Sequence, residues 1–117
     1  MPQDDIGNDL KDLTLKELEA TRDDMLLLEN KDAAKAAGAE ASKKYSETLF
    51  AIQDAIRDLE NAELLKLLQQ LRSHESELRE GIKDLAKARK NIGHVETFLK
   101  VTAKVLEIVG KVVKAVV

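Results

Sequence analysis

Leu64, Leu71, Leu78, Leu85, Ile92, Leu99, Leu106 and Val113 recur at every seventh residue without an exception. Three residues after each stand Leu67, His74, Gly81, Ala88, Val95, Thr102, Val109 and Val116, most of them apolar. A seven-residue repeat keeps one stripe of an α-helix against a neighbour only when the helices wind about each other left-handedly, so the pattern demands helix-on-helix packing. As one continuous helix it would run for roughly 80 Å at 1.5 Å per residue. Composition agrees. Ala, Leu, Glu, Lys and Arg make up more than half of the 117 residues, the mixture of long helices and coiled coils. Tyr45, Phe50 and Phe98 are the only aromatic residues, so a core must be aliphatic.

Residues 1–13 read as a flexible acidic arm, with Pro2, Gly7 and Asn8 among carboxylates. Thr14-Leu15-Lys16-Glu17 has the T-x-x-E spacing of a capping box and predicts a helix start. Leu15, Leu18, Met25 and Leu28 then recur on one side. Asn30-Lys31-Asp32 reads either as a turn or as a polar patch within a longer helix. Residues 33–41 are alanine-rich and favour helix, with Gly38 the weakest point. From Tyr45 a regular seam of Leu49, Ile52, Ile56 and Leu59 begins.

That first seam does not join the second. Seven-residue steps from Tyr45 reach Lys66, and backward steps from Leu64 reach Arg57, so the phase slips at Glu60-Asn61-Ala62-Glu63. Asn61 suits an N-cap, and Glu63 suits the positive end of the following helix. The expectation is an all-α single domain over 14–117, a long antiparallel helical hairpin or coiled-coil-like bundle that oligomerises. Arm one covers about 14–60, the turn about 60–63 and arm two about 62–115. Asn91-Ile92-Gly93 is a second candidate break, but the undisturbed register favours a continuous helix there.

Residues 94–117 stand apart. Lys100, Lys104, Glu107, Lys111 and Lys114 make one narrow, mostly cationic stripe, and almost everything around it is apolar. The apolar arc is about twice the ~100° that an ordinary surface helix buries. Such a helix must be a bundle centre, an interface between copies, or an element lying on a membrane with its lysines at head-group level. A long helical hairpin with a very apolar terminal segment resembles α-helical pore-forming toxin components in outline, which implies the membrane reading.

Several chemistries lack their residues. The absence of Cys removes disulfides, thiolate metal sites and Cys nucleophiles. His74 and His94 are the only histidines, and neither has a Glu three residues before it, as di-iron bundles require. Adjacent acids such as Asp23-Asp24 diverge by about 100° on a helix and read as solvated surface. No phosphate loop or nucleophile elbow occurs, so no enzyme, cofactor, metal or small-molecule substrate is expected. Lys83, Lys87, Arg89 and Lys90 are interrupted by Asp84 and lack stacking aromatics, which argues against nucleic acid. No Sec signal peptide is seen, which with the lack of Cys favours the cytoplasm and leaves non-classical export open.

Charge is uneven, at −6 over residues 1–30, +1 over 31–93 and +2 over 94–117. The two ends are thus suited to attract each other within a chain or between chains. The function expected from these features is a non-enzymatic scaffold that self-associates or binds partner helices through the seam Leu64–Val113. The alternative is a membrane-active protein using residues 94–117, with Lys100, Lys104, Lys111 and Lys114 facing lipid.

Overall fold

Six helices fill residues 5–116, the part of the chain that the structure, a computed structural model, describes. They are α1 (Asp5–Met25), α2 (Leu28–Ala36), α3 (Ala39–Asn61), α4 (Leu64–Ser73), α5 (Glu75–Arg89) and α6 (Val95–Val116), and no strand occurs among the described residues. Neither arm of the expected hairpin is one helix. Each is folded back on itself.

The breaks have local causes, and several differ from those the sequence suggested. Residues 5–13, expected as a flexible arm, open α1, because Leu10 is fully buried and draws the segment onto the core. Residues 1–4 lie outside the described part. Thr14 is therefore not a cap. It sits inside α1, buried, and its hydroxyl donates to the Leu10 carbonyl at 2.6 Å, the back-bond by which a mid-helix Thr satisfies itself. The first turn falls at Leu26–Leu27, ahead of Asn30, whose side-chain amide ties it by donating to the Asp24 carbonyl at 2.7 Å. Gly38 then takes φ 117°, a conformation that side chains rarely adopt, and sets the entry of α3. At the next turn Asn61 ends α3 rather than capping α4. The Glu63 carboxylate performs the capping, accepting from the Lys66 amide at 2.7 Å.

The seven-residue register misled at Asn91–Gly93. The chain leaves the helix after Arg89 and resumes at Val95, yet Ile92 stays 2% exposed and points into the core. A turn residue thus keeps a seam position without being helical. His74 similarly interrupts the register, at the kink between α4 and α5.

Close approaches fix how the helices run. Gly7 lies so near α4 that an added Cβ would stand 2.9 Å from Leu68 Cβ, while Arg89, at the end of α5, bonds Glu17 in α1. So α1 runs beside α4 and α5 in the same direction. Gly81 abuts Val105 and Ile108, which sets α5 antiparallel to α6. The Tyr45 hydroxyl donates to the Met25 carbonyl at 2.8 Å, which docks the start of α3 on the end of α1. The result is four rods in the cyclic order α1, α3, α6, then α4 and α5 as one kinked rod, with α2 bridging α1 to α3. The molecule measures 49 × 24 × 19 Å.

This arrangement answers the problem posed by residues 94–117. An apolar arc too wide for one neighbour is covered by three, since α6 packs on α3, α4 and α5. Val95, Phe98, Val105, Val109 and Val112 are each at most 3% exposed. Thr102, buried among them, returns its hydroxyl to the Phe98 carbonyl at 2.8 Å.

Tyr45 reports on this core. Its ring lies 6.5 Å from that of Phe98, and burial, assisted by the negative charge of Asp24, pushes its pKa up to about 12. A raised pKa means that the fold favours the neutral phenol over the phenolate. The contribution is whole below pH 10 and is lost as pH climbs through 12. With one Tyr and no Trp in the chain, absorbance at 295 nm isolates this group. The native protein should titrate near pH 12 or on unfolding, against about 10 in denaturant. A native midpoint at about 10 would refute the burial.

Candidate interaction groove

The expected seam divides into three parts. Leu64 is 48% exposed at the start of α4. Leu71, Leu78, Leu85 and Ile92 are consumed inside the chain's own core, at no more than 2% exposure. Leu99, Leu106 and Val113, on α6, reach a surface groove. Of the seam residues, Leu99, Leu106 and Val113 are the ones that border this groove.

That groove runs between α3 and α6. Its larger section, 830 Å³, is bordered by residues from 37 to 51 on one side and 96 to 106 on the other. A smaller section of 330 Å³ continues between 51–58 and 106–114. The two helices are therefore parallel along it. Ala51 and Leu106 belong to both sections. The α3 wall presents Ala41, Thr48, Ala51 and Ala55, and the α6 wall Leu99, Ala103, Leu106, Gly110 and Val113. The Ala and Gly residues among them leave the space between the helices unfilled. The α6 residues are spaced 4-3-4-3 and the α3 residues 7-3-4, so each wall is itself a helical stripe.

The rims carry unlike charge. Glu40, Glu47, Asp54 and Asp58 stand on the α3 side against a single Lys44. On the α6 side Lys100 and Lys114 line the groove with Glu96. Lys104 and Lys111 are exposed on the same helix, the latter 3.9 Å from Glu107. All four lysines of the expected stripe are thus on the surface.

A second polar feature joins α1 to α5. The Arg89 Nε donates to Glu17 at 2.7 Å, and its Nη1 donates to Asp24 at 3.0 Å. Thr21 adds a hydroxyl to Glu17 at 3.1 Å. The Glu17 bonds, ahead of Asp24, raise the guanidinium pKa above its usual value against the opposing effect of burial. Two sequence expectations fail here. Glu17 is no capping residue, and Asp24 is not simply solvated surface, since the helix aims it away from Asp23 and toward Arg89. Of the acids in the first thirty residues, Glu17 and Asp24 are met by Arg89 of α5.

His74 is half-buried with Nδ1 3.4 Å from Glu77, and His94 is exposed between α5 and α6. Among the described residues no three His, Asp or Glu side chains converge as a metal site does. No described helix is long and apolar enough to cross a membrane. Phe50, Leu28 and Leu65 are strongly exposed but border neither section of the groove.

The groove was not foreseen from the sequence, although its signal was present. The alanine-rich run before Tyr45 and the small residues Ala103 and Gly110 inside a valine-rich helix mark walls too shallow to close on each other. Compared with protein-family models, with curated proteins and with solved structures, the chain matches none of them.

Proposed function

We propose that this chain is a non-enzymatic helical interaction protein whose binding surface is the groove between α3 and α6. The supporting observation is the open apolar trough itself, in which Leu99, Leu106 and Val113 keep seven-residue spacing beside small side chains. A trough with apolar positions one heptad apart suits an amphipathic helix laid along it with coiled-coil-type packing. Its walls extend over Leu99–Val113, about 21 Å at 1.5 Å per residue, or four turns. Of the remainder of the seam, Leu71, Leu78, Leu85 and Ile92 serve the chain's own core.

The rival membrane role for residues 94–117 requires α6 to leave the core and expose Phe98, Val105, Val109 and Val112. Each costs ~1.5–3 kcal/mol to uncover. The open groove needs no such rearrangement.

A photo-crosslinking residue at Ala103, exposed on the α6 wall, tests the reading in the producing cell. Discrete crosslinked species are expected at position 103 and not at Arg79, which lies on α5 away from both sections. Absence of any product at 103 would refute a role for the groove.

A further inference from the structure

We propose that the occupant of the groove is a second copy of this chain, in a parallel dimer whose two-fold axis runs along the trough. This rests on the groove being a helix-binding surface, and adds which partner it takes and in which orientation.

The argument comes from the charges on the two walls. The charges of α3 that border the groove are Glu40, Glu47, Asp54 and Asp58 against Lys44, with Arg57 of the same helix 3.3 Å from Asp54 and 3.7 Å from Asp58. The exposed side of α6 is basic, with Lys100, Lys104, Lys111 and Lys114 against Glu96 and Glu107. Each wall is therefore complementary to the other wall of an identical molecule. Since α3 and α6 are parallel, two symmetric ways exist to lay one face on another. A two-fold axis across the helices sets α3 on α3, acid against acid, and α6 on α6, base against base. An axis along the groove sets α3 of each copy on α6 of the other, with every helix parallel. Only the second arrangement brings unlike charges together, and it does so twice, as a self-complementary interface must.

The levels agree at one end of the groove. Asp58 and Lys114 border the same section of the groove, so a rotation about its axis brings Asp58 of each copy opposite Lys114 of the other. At the far end, counted from the shared level of Ala51 and Leu106, Glu40 and Lys44 come level with Glu96 and Lys100, so the unlike contact lies at the Asp58–Lys114 end. Between these ends Leu99, Leu106 and Val113 meet their own equivalents across the axis. Ala51, Ala103 and Gly110 let the backbones approach.

Charge reversal in mixtures separates this geometry from its rivals. Full-length Asp58→Lys and Lys114→Glu variants are prepared singly, and sedimentation velocity follows the self-association of each and of their equimolar mixture. Neither position is buried, and circular-dichroism melts confirm that each variant folds. The wild type should dimerise. Each variant alone faces two like-charge contacts and should bind itself at least ~10-fold more weakly. In the mixture the two reversed charges face each other as an unlike pair, and the native pair forms at the second contact, so the dimer should return. Contacts within one chain are not restored by mixing, so recovery reports the interface between chains.

A wild type that stays monomeric at ~1 mM, a concentration at which even a weak specific interface is populated, overturns the proposal, as does a mixture that fails to recover. Strengthening by Asp58→Lys alone would also overturn it, in favour of the acid-on-acid arrangement. Crosslinks at Ala103 to a different protein, with a monomeric wild type, would remove the second copy while leaving the groove as an interface.

Discussion

Phe98→Ala should lower the unfolding free energy by about 4 kcal/mol and the melting temperature by roughly 16 °C. Phe98 is the largest of the fully buried side chains and is 1% exposed. It sits in the first turn of α6, where the Tyr45 ring of α3 lies tilted 6.5 Å away. Truncation removes the aromatic contact and leaves a cavity that aliphatic neighbours on separate rods are too constrained to fill. A domain of this size has ~6–17 kcal/mol in all, so one substitution should take a large share. Urea denaturation followed by circular dichroism measures it. A loss under about 1 kcal/mol, far below the usual cost of a buried Phe, would mean that α6 is not a core helix, and the resolution of its wide apolar arc would fail with it.

The second large effect is electrostatic. Arg89→Met should cost about 2 kcal/mol, because Glu17, its side chain 9% exposed, would be left without its counter-charge. Breaking a fully buried pair costs ~3–5 kcal/mol, and the partial exposure of Arg89 and Asp24 reduces that here. The sign of the mechanism is testable by adding Glu17→Gln. If the cost is an uncompensated buried carboxylate, the double variant should be more stable than Arg89→Met alone, although it carries one more change. If Arg89 mattered only for the packing of its methylenes, the second substitution would recover nothing. Arg89→Lys should fall between, since a lysine supplies charge but cannot hold Glu17 and Asp24 in a planar fork.

These two sites show where reading the chain as a string succeeds and where it stops. Most seam positions from Leu67 to Val109, His74, Ala88 and Leu106 excepted, are buried because a heptad stripe must find an apolar neighbour, and that need holds whichever neighbour is found. The same logic misread Thr14-Leu15-Lys16-Glu17. A capping box and a mid-helix Thr followed by a buried Glu share one spelling, and the difference lies in Leu10 and Arg89, neither of them in the motif. Gly93 illustrates a further limit. Side-chain periodicity records which residues point inward, not whether the backbone between them stays helical, so Ile92 hides a turn.

The groove between α3 and α6 was legible only in fragments. Ala41, Ala51, Ala55, Ala103 and Gly110 are visibly small, but smallness permits both tight packing and empty space. Which one results depends on the distance between helices, and here that distance is held by larger residues behind them, including Tyr45, Ile52, Phe98 and Val105. The acidic α3 side and the cationic stripe of α6 are plain in the sequence as separate features. Their standing on opposite rims of one trough follows from α3 and α6 running parallel.

Sequence alone determined that this chain is all-helical, that its core is mostly aliphatic, and that residues 94–117 need cover on more than one side. Helix propensity and apolar periodicity are local properties, carried by residues within a few turns of each other. The tertiary structure decided that the long seam is mostly consumed within the chain, that both expected arms fold back, and that one face between α3 and α6 stays open. Those outcomes depend on which surfaces meet across distances of up to 72 residues, as Glu17 and Arg89 do. Such meetings are set by the free energy of the whole packed assembly, in which no single segment carries the choice.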